Sequence, residues 1–157
     1  MKLKKALYAG SFDPFTNGHL SIVEKGAELF DELVIGIARN SHKTRSTDIY
    51  KMKYAIQKHF KYYDNVSVVI IDGLVADYCK EADICYLIRG LRNTSDYLYE
   101  ENIAKINSEI YPNLRTIYFR ADNDVISSSM IRELREYRKD VSGFLPKEIY
   151  DILIDKG

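Results

Sequence analysis

Lys5-Ala6-Leu7-Tyr8-Ala9-Gly10-Ser11-Phe12-Asp13-Pro14-Phe15-Thr16-Asn17-Gly18-His19 decides the fold of this chain. Its first six residues form a short, mostly apolar run of the kind that makes a buried strand. From Gly18 to Phe30 the period changes, and Ile22, Val23, Ala27 and Phe30 share one helical face. Between the two, Gly10 lets the backbone turn tightly, Ser11 offers a hydroxyl, and Thr16 or Asn17 can cap the helix. Gly18 removes a side chain beside the helix start, and His19 projects from the first turn. Free N–H groups and a partial positive charge at such a terminus suit a phosphate, and a histidine there can donate to phosphate oxygens. The plainer alternative is a turn and cap with a surface histidine. The string contains neither the G-x-G-x-x-G dinucleotide fingerprint nor the G-x-x-x-x-G-K-[ST] phosphate loop.

Outward from this segment the same alternation recurs. Leu33–Ala38, Val66–Ile71, Cys85–Ile88 and Arg115–Phe119 read as further strands. Ile49–Phe60, Leu74–Lys80, Ser95–Ile110, Ser127–Tyr137 and Pro146–Ile154 have helical spacing. Strands alternating with helices imply an α/β, Rossmann-like architecture: a five-stranded parallel sheet with right-handed crossovers and helices on both faces. No repeat, low-complexity tract or linker interrupts the chain, so residues 1–157 are expected to form a single domain. Ligands of such sheets sit beyond the carboxyl ends of the strands, where the strand order reverses.

The unusual residues fall at those ends. His42-Lys43-Thr44-Arg45 follows the second strand, within reach of a shared phosphate site or as a solvated basic loop. The fourth strand runs into Ile88-Arg89-Gly90-Leu91-Arg92, where two arginines suit bidentate phosphate binding, or surface ion pairs. Ile126-Ser127-Ser128-Ser129-Met130-Ile131-Arg132 opens a helix with three hydroxyls, which cap it and leave donors for phosphate oxygens. Each segment alone has an ordinary reading; their convergence from four strand ends points to a phosphate-lined crevice.

Composition sets the class of ligand. The 157 residues carry 23 Lys and Arg against 23 Asp and Glu, a formal net charge of zero. No general positive field exists to hold a nucleic-acid backbone, so nucleic-acid binding is not expected and the anion site must be local. Lysines precede apolar residues at the N-terminus, but that run stops at Leu7-Tyr8-Ala9, too short for a signal core of about 7–15 residues. No stretch approaches the roughly 18 apolar residues that would span a bilayer. Cys79 and Cys85 are expected as free thiols. These features predict a cytoplasmic protein without a membrane partner.

GSFDPFTNGH, the downstream lysine and ISSSMIR together resemble the adenylyl/cytidylyltransferase superfamily, whose T/H-x-G-H motif is here Thr16-Asn17-Gly18-His19. IRGLR at Ile88–Arg92, with Asp96-Tyr97 and Tyr99-Glu100 after it and Val141–Pro146 near the end, resembles the bacterial phosphopantetheine adenylyltransferases. The resemblance spans Ala6 to Pro146. It implies transfer of the adenylyl group of ATP to 4′-phosphopantetheine, giving dephospho-coenzyme A and pyrophosphate, with Mg²⁺; no all-protein carboxylate cage is evident in the sequence, so the ion is expected mainly on the ATP phosphates. It also implies a homohexamer and feedback inhibition by coenzyme A.

Position by position, the resemblance puts His19 and Lys43 at the chemistry. Ser11, Phe12, His19, Gly90, Leu91, Arg92, Glu100 and Asn123-Asp124-Val125-Ile126-Ser127-Ser128-Ser129 would contact ATP. Ser11, Lys43, Leu74, Val75, Arg89, Asn107 and Glu133 would contact the acceptor, Arg89 at its phosphate. This chain departs from the family's common pattern at Ser11 (more often threonine), at Val75 (often methionine), and in the acidic stretch Ala121–Val125.

The chemistry needs little covalent help. A phosphate monoester has a second pKa near 6 and is largely ionised at neutral pH, so no general base is required. Catalysis is expected to rest on positioning and electrostatic stabilisation of an in-line transfer. The rival readings are a relative acting on nicotinamide mononucleotide, glycerol phosphate or a flavin precursor, a non-catalytic nucleotide-binding module, and an RNA-binding protein.

Overall fold

The structure, a computed structural model, describes residues 2–40, 42–122 and 127–154. In chain order the elements are β1 (Lys5–Gly10), α1 (Asn17–Leu29), β2 (Glu32–Arg39), α2 (Ile49–His59) and β3 (Val66–Asp72). They continue with α3 (Val75–Ala82), β4 (Tyr86–Leu91), α4 (Thr94–Ile110), β5 (Arg115–Arg120), α5 (Ser128–Glu136) and α6 (Lys147–Ile154). The strands form one parallel sheet in the order β3-β2-β1-β4-β5. The chain winds outward from β1 through β2 to β3, then returns to the other side of β1 for β4. That reversal leaves a crevice beyond the carboxyl ends of β1 and β4.

Two apolar layers cover the sheet. Alternate residues of β1 divide between them, because successive side chains of a strand point to opposite faces. Ala6 and Tyr8 join Ile22 and Val23 of α1, Met52 and Ile56 of α2, Ile131 of α5 and Ile149 of α6. Leu7 and Ala9 join Ala76 and Cys79 of α3 and Tyr111 and Leu114 after α4. At about 25 cal/mol per Å² of apolar surface removed from water, each fully buried leucine or isoleucine contributes roughly 1.5–3 kcal/mol. These layers hold the strand ends that carry the polar residues.

The elements expected from the sequence form within a residue or two, with one informative exception. Strand β4 runs three residues beyond its apolar stretch, through Arg89 and Gly90 to Leu91. Hydrogen-bond pairing overrides composition there, since β5 continues alongside as Arg89↔Tyr118, Gly90↔Phe119 and Leu91↔Arg120. Arg89 and Gly90 therefore face opposite sides of the sheet. A short 3₁₀ turn at Ser142–Phe144, also unexpected, precedes α6.

Candidate active site

Thr16 is the N-cap of α1, and its pairing with His19 completes a capping box. The His19 backbone N–H donates to Thr16 Oγ1 at 3.3 Å, while the Thr16 backbone N–H donates to His19 Nδ1 at 2.9 Å. A backbone N–H can only donate, so Nδ1 must be unprotonated and the proton of the neutral ring lies on Nε2. The ring is packed edge-on against Phe12 at 4.9 Å and lies 5.4 Å from Phe15. Burial, then the charges of Arg92 and Arg89, push its pKa down to about 3. His19 is thus a neutral donor, its Nε2–H without a partner among the described residues, on a ring that lines the crevice. Phe12 reaches this ring from a left-handed backbone, φ 46°, an uncommon and strained conformation for a bulky residue. Its side chain belongs to the core, 2 % exposed, leaving its backbone to any ligand.

The lysine loop after β2 is fastened to the loop after β1. Asp13, 6 % exposed, accepts from Ser46 N (2.8 Å), Ser46 Oγ (3.0 Å), Thr47 N (3.0 Å) and Thr47 Oγ1 (2.6 Å). Burial alone would raise its pKa, but these donors and the Arg45 charge hold the carboxyl below its ordinary range. Arg45 in turn donates to the carbonyls of Ser11 (2.5 Å) and Phe12 (3.1 Å). The latch brings Lys43 to the crevice rim beside Ser11 and His19. Neither Asp13 nor Arg45 carried a sequence signal for this role.

Opposite lies the IRGLR segment. Arg89 donates from Nε and Nη2 to both oxygens of Glu100, 2.8 Å each, and from Nη1 to the Ala9 carbonyl at 2.9 Å. Glu100, in α4, is 8 % exposed. The fork-on-fork geometry fixes the guanidinium plane and leaves two of its five N–H donors uncommitted. Arg92 is paired with Asp96 at 3.0 Å. At the start of α5, Ser127 accepts from Met130 N (3.2 Å) and Ser129 from Arg132 Nη2 (3.1 Å), so among the described residues neither commits its own O–H. Ser128 differs: its O–H donates to the Pro14 carbonyl at 2.8 Å. Arg132, which the sequence reading gave no role, also donates to the Asp13 carbonyl at 2.6 Å.

These groups enclose a crevice of about 400 Å³, of the size that holds a small ligand. It gathers Ser11, Phe12, His19, Lys43, Arg89, Gly90, Leu91, Arg92, Glu100 and Ser127–Ser129 from the sequence expectations, and adds Tyr8, Asp96 and Arg132. Four cations face two carboxylates, so a chain of zero net charge carries a locally positive cleft. Leu74, Val75, Asn107 and Glu133 lie outside its lining. Leu74 is 58 % exposed, whereas Asn107 is buried in α4. Asn123, Asp124, Val125 and Ile126 lie outside the described residues. Among the described residues no three His, Cys, Asp or Glu side chains stand together as a metal site.

Residues 7–134 match the cytidylyltransferase-like family model. A phosphopantetheine adenylyltransferase of Cytophaga hutchinsonii is 43% identical over 148 residues, 93% of this chain and 99% of that protein. One from Streptococcus pneumoniae is 41% identical over 154 residues, 96% of this chain and 95% of that protein. A solved structure assigned to a nicotinate-nucleotide adenylyltransferase of Vibrio parahaemolyticus superposes with a TM-score of 0.72, covering 97% of this chain and 92% of that one. At 16% identity that likeness speaks for the fold alone. The chain belongs to the cytidylyltransferase-like family and, within it, to the phosphopantetheine adenylyltransferases.

Proposed function

We propose that this protein transfers the adenylyl group of ATP to 4′-phosphopantetheine, giving dephospho-coenzyme A and pyrophosphate, by in-line attack without a covalent enzyme intermediate. The observation that carries the reading is the fixed, neutral His19 on a crevice flanked by Lys43, Arg89, Arg92 and Arg132. Such a site offers donors and charge to phosphates and offers no activated nucleophile of its own. The acceptor's phosphate dianion is the nucleophile, and its attack on the α-phosphorus places charge on the equatorial oxygens. His19 Nε2–H and Lys43 stabilise that charge; the His19 ring is already fixed by its capping box and needs no reorganisation.

Arg89, held by Glu100, presents its remaining N–H groups to the acceptor phosphate, so Glu100 acts by orienting Arg89 as well as by lying near ATP. Gly90, Leu91 and Arg92 flank the nucleotide, with Ser11, Ser127 and Ser129 as hydroxyl donors to its phosphates. Asn123–Ile126 complete the nucleotide contacts in this reading, and Leu74, Val75, Asn107 and Glu133 receive the pantetheine arm beyond the crevice. Mg²⁺ arrives on ATP: the crevice carboxylates Asp96 and Glu100 are each paired with arginine, and a nucleotide-borne ion needs only phosphate oxygens and water. It supplies charge neutralisation on the phosphates. The expected setting is the cytoplasm, where the chain assembles as a homohexamer and is inhibited by coenzyme A; no described helix is long and apolar enough to cross a membrane.

Pyrophosphate release from Mg-ATP, measured with and without 4′-phosphopantetheine, tests the reaction. Release that depends on this acceptor, with dephospho-coenzyme A appearing alongside, is expected. Release with nicotinamide mononucleotide or glycerol phosphate in its place would overturn the substrate while keeping the chemistry.

A further inference from the structure

Tyr8 stands under the crevice, and nothing in the fold requires its hydroxyl. It lies in β1 with its ring in the core, 4 % exposed, edge-on to Phe12 at 5.2 Å and 6.3 Å from the His19 ring. Phenylalanine would fill the same space. Among the described residues no hydrogen bond reaches this hydroxyl, and it is not sealed either, since no sealed side-chain polar atom lacks a partner; a sealed one would cost about 1–3 kcal/mol. The small surface that Tyr8 retains belongs to the crevice, which it lines.

Gly90 explains why the hydroxyl stays uncovered. A Cβ built on Gly90 would stand 3.9 Å from the Tyr8 oxygen and 2.5 Å from Ile22 Cδ1. Without that atom, the phenol ends beneath bare backbone at Gly90, near His19 and the Arg89–Glu100 pair. We propose that the Tyr8 hydroxyl is a further ligand of the nucleotide, donating a hydrogen bond from the crevice floor to an oxygen of ATP seated over Gly90. Burial, and to a lesser degree the Glu100 charge, raise the phenol's pKa against the opposing pull of Arg89, so it remains protonated and donates. Sugar and phosphate oxygens share the acceptor chemistry required.

The inference rests on the nucleotide reading above, and the test separates the two. Tyr8→Phe removes one oxygen and keeps the packing. Calorimetric titration with Mg-ATP is expected to give a dissociation constant about 2–10-fold weaker than wild type, the worth of one hydrogen bond. KM for 4′-phosphopantetheine and the thermal midpoint should stay at their wild-type values, which a purely structural role would not predict. Titration with adenosine locates the acceptor: an equal loss places it on the sugar, and a loss confined to ATP places it on the phosphates. Wild-type and Tyr8→Phe proteins binding Mg-ATP equally would overturn the Tyr8 assignment alone. Failure of the wild type to bind Mg-ATP would overturn the functional reading, and this assignment with it.

Discussion

Acidification should reveal the state of His19. In the folded chain its pKa is displaced from 6.5 to about 3, whereas the unfolded chain exposes the ring and restores the ordinary value. The unfolded state therefore binds the extra proton, and stability falls as pH drops below about 6.5, ceasing to fall only near 3. Between pH 7 and pH 5 this residue alone should cost about 2 kcal/mol, from 1.36 kcal/mol per pH unit over the part of that window below 6.5. Asp13, with its carboxyl held low, is also stabilising at neutral pH and loses that contribution on acidification, so the two effects have the same sign. Comparison with His19→Gln isolates the histidine. Urea unfolding at pH 7 and 5 should show wild type losing about 2 kcal/mol more than the variant. Long-range ¹H–¹⁵N spectra of the wild type should show Nε2 protonated and Nδ1 bare throughout that range. A His19 ring that takes up a second proton near pH 6, or equal pH slopes for the two proteins, would refute the neutral-donor assignment.

Three substitutions test the remaining site groups. His19→Ala should lower kcat by about 10²–10³, the effect of one lost oxyanion donor, with circular dichroism unchanged; near-normal turnover would remove it from the chemistry. Glu100→Gln should raise KM for 4′-phosphopantetheine more than KM for ATP, because Arg89 loses the carboxylate that holds it, and should cost stability by about 1–3 kcal/mol in urea; the opposite ranking of the two KM values would assign Arg89 to the nucleotide. Asp13→Ala leaves four donors of the lysine loop without their acceptor. It should lower stability by about 1–3 kcal/mol and lower kcat as Lys43 loses its placement; full turnover in a destabilised protein would make the latch structural only.

Most of the architecture was legible in the residue order. Short apolar runs alternating with amphipathic stretches admit few topologies once right-handed crossovers are required, and the sheet order β3-β2-β1-β4-β5 is one of them. Ser11, His19, Lys43, Arg89 and Arg92 stood out because polar groups at strand ends, beside a helix start, have a local physical reason that a sequence displays. The IRGLR string was legible as a site but not as a strand, since its last residues are held by pairing with β5 and not by their own apolarity.

What the sequence could not determine depends on which distant groups meet. Whether Thr16 or Asn17 caps α1 was open; the fold uses Thr16 and sends Asn17 to the Gly143 carbonyl, 126 positions away. Arg89 reaches Ala9 across 80 positions, and Arg132 reaches Asp13 across 119. Residue type gave no hint that Glu100 would clamp Arg89, that Asp13 would fasten the lysine loop, or that the Tyr8 phenol would end at Gly90. Periodicity and strand-end chemistry are local, so the sequence alone determined the sheet, the crevice and most of its cations. Partner choice, protonation state and the orientation of each donor arise only when the chain closes on itself, because each is set by groups that the sequence holds far apart.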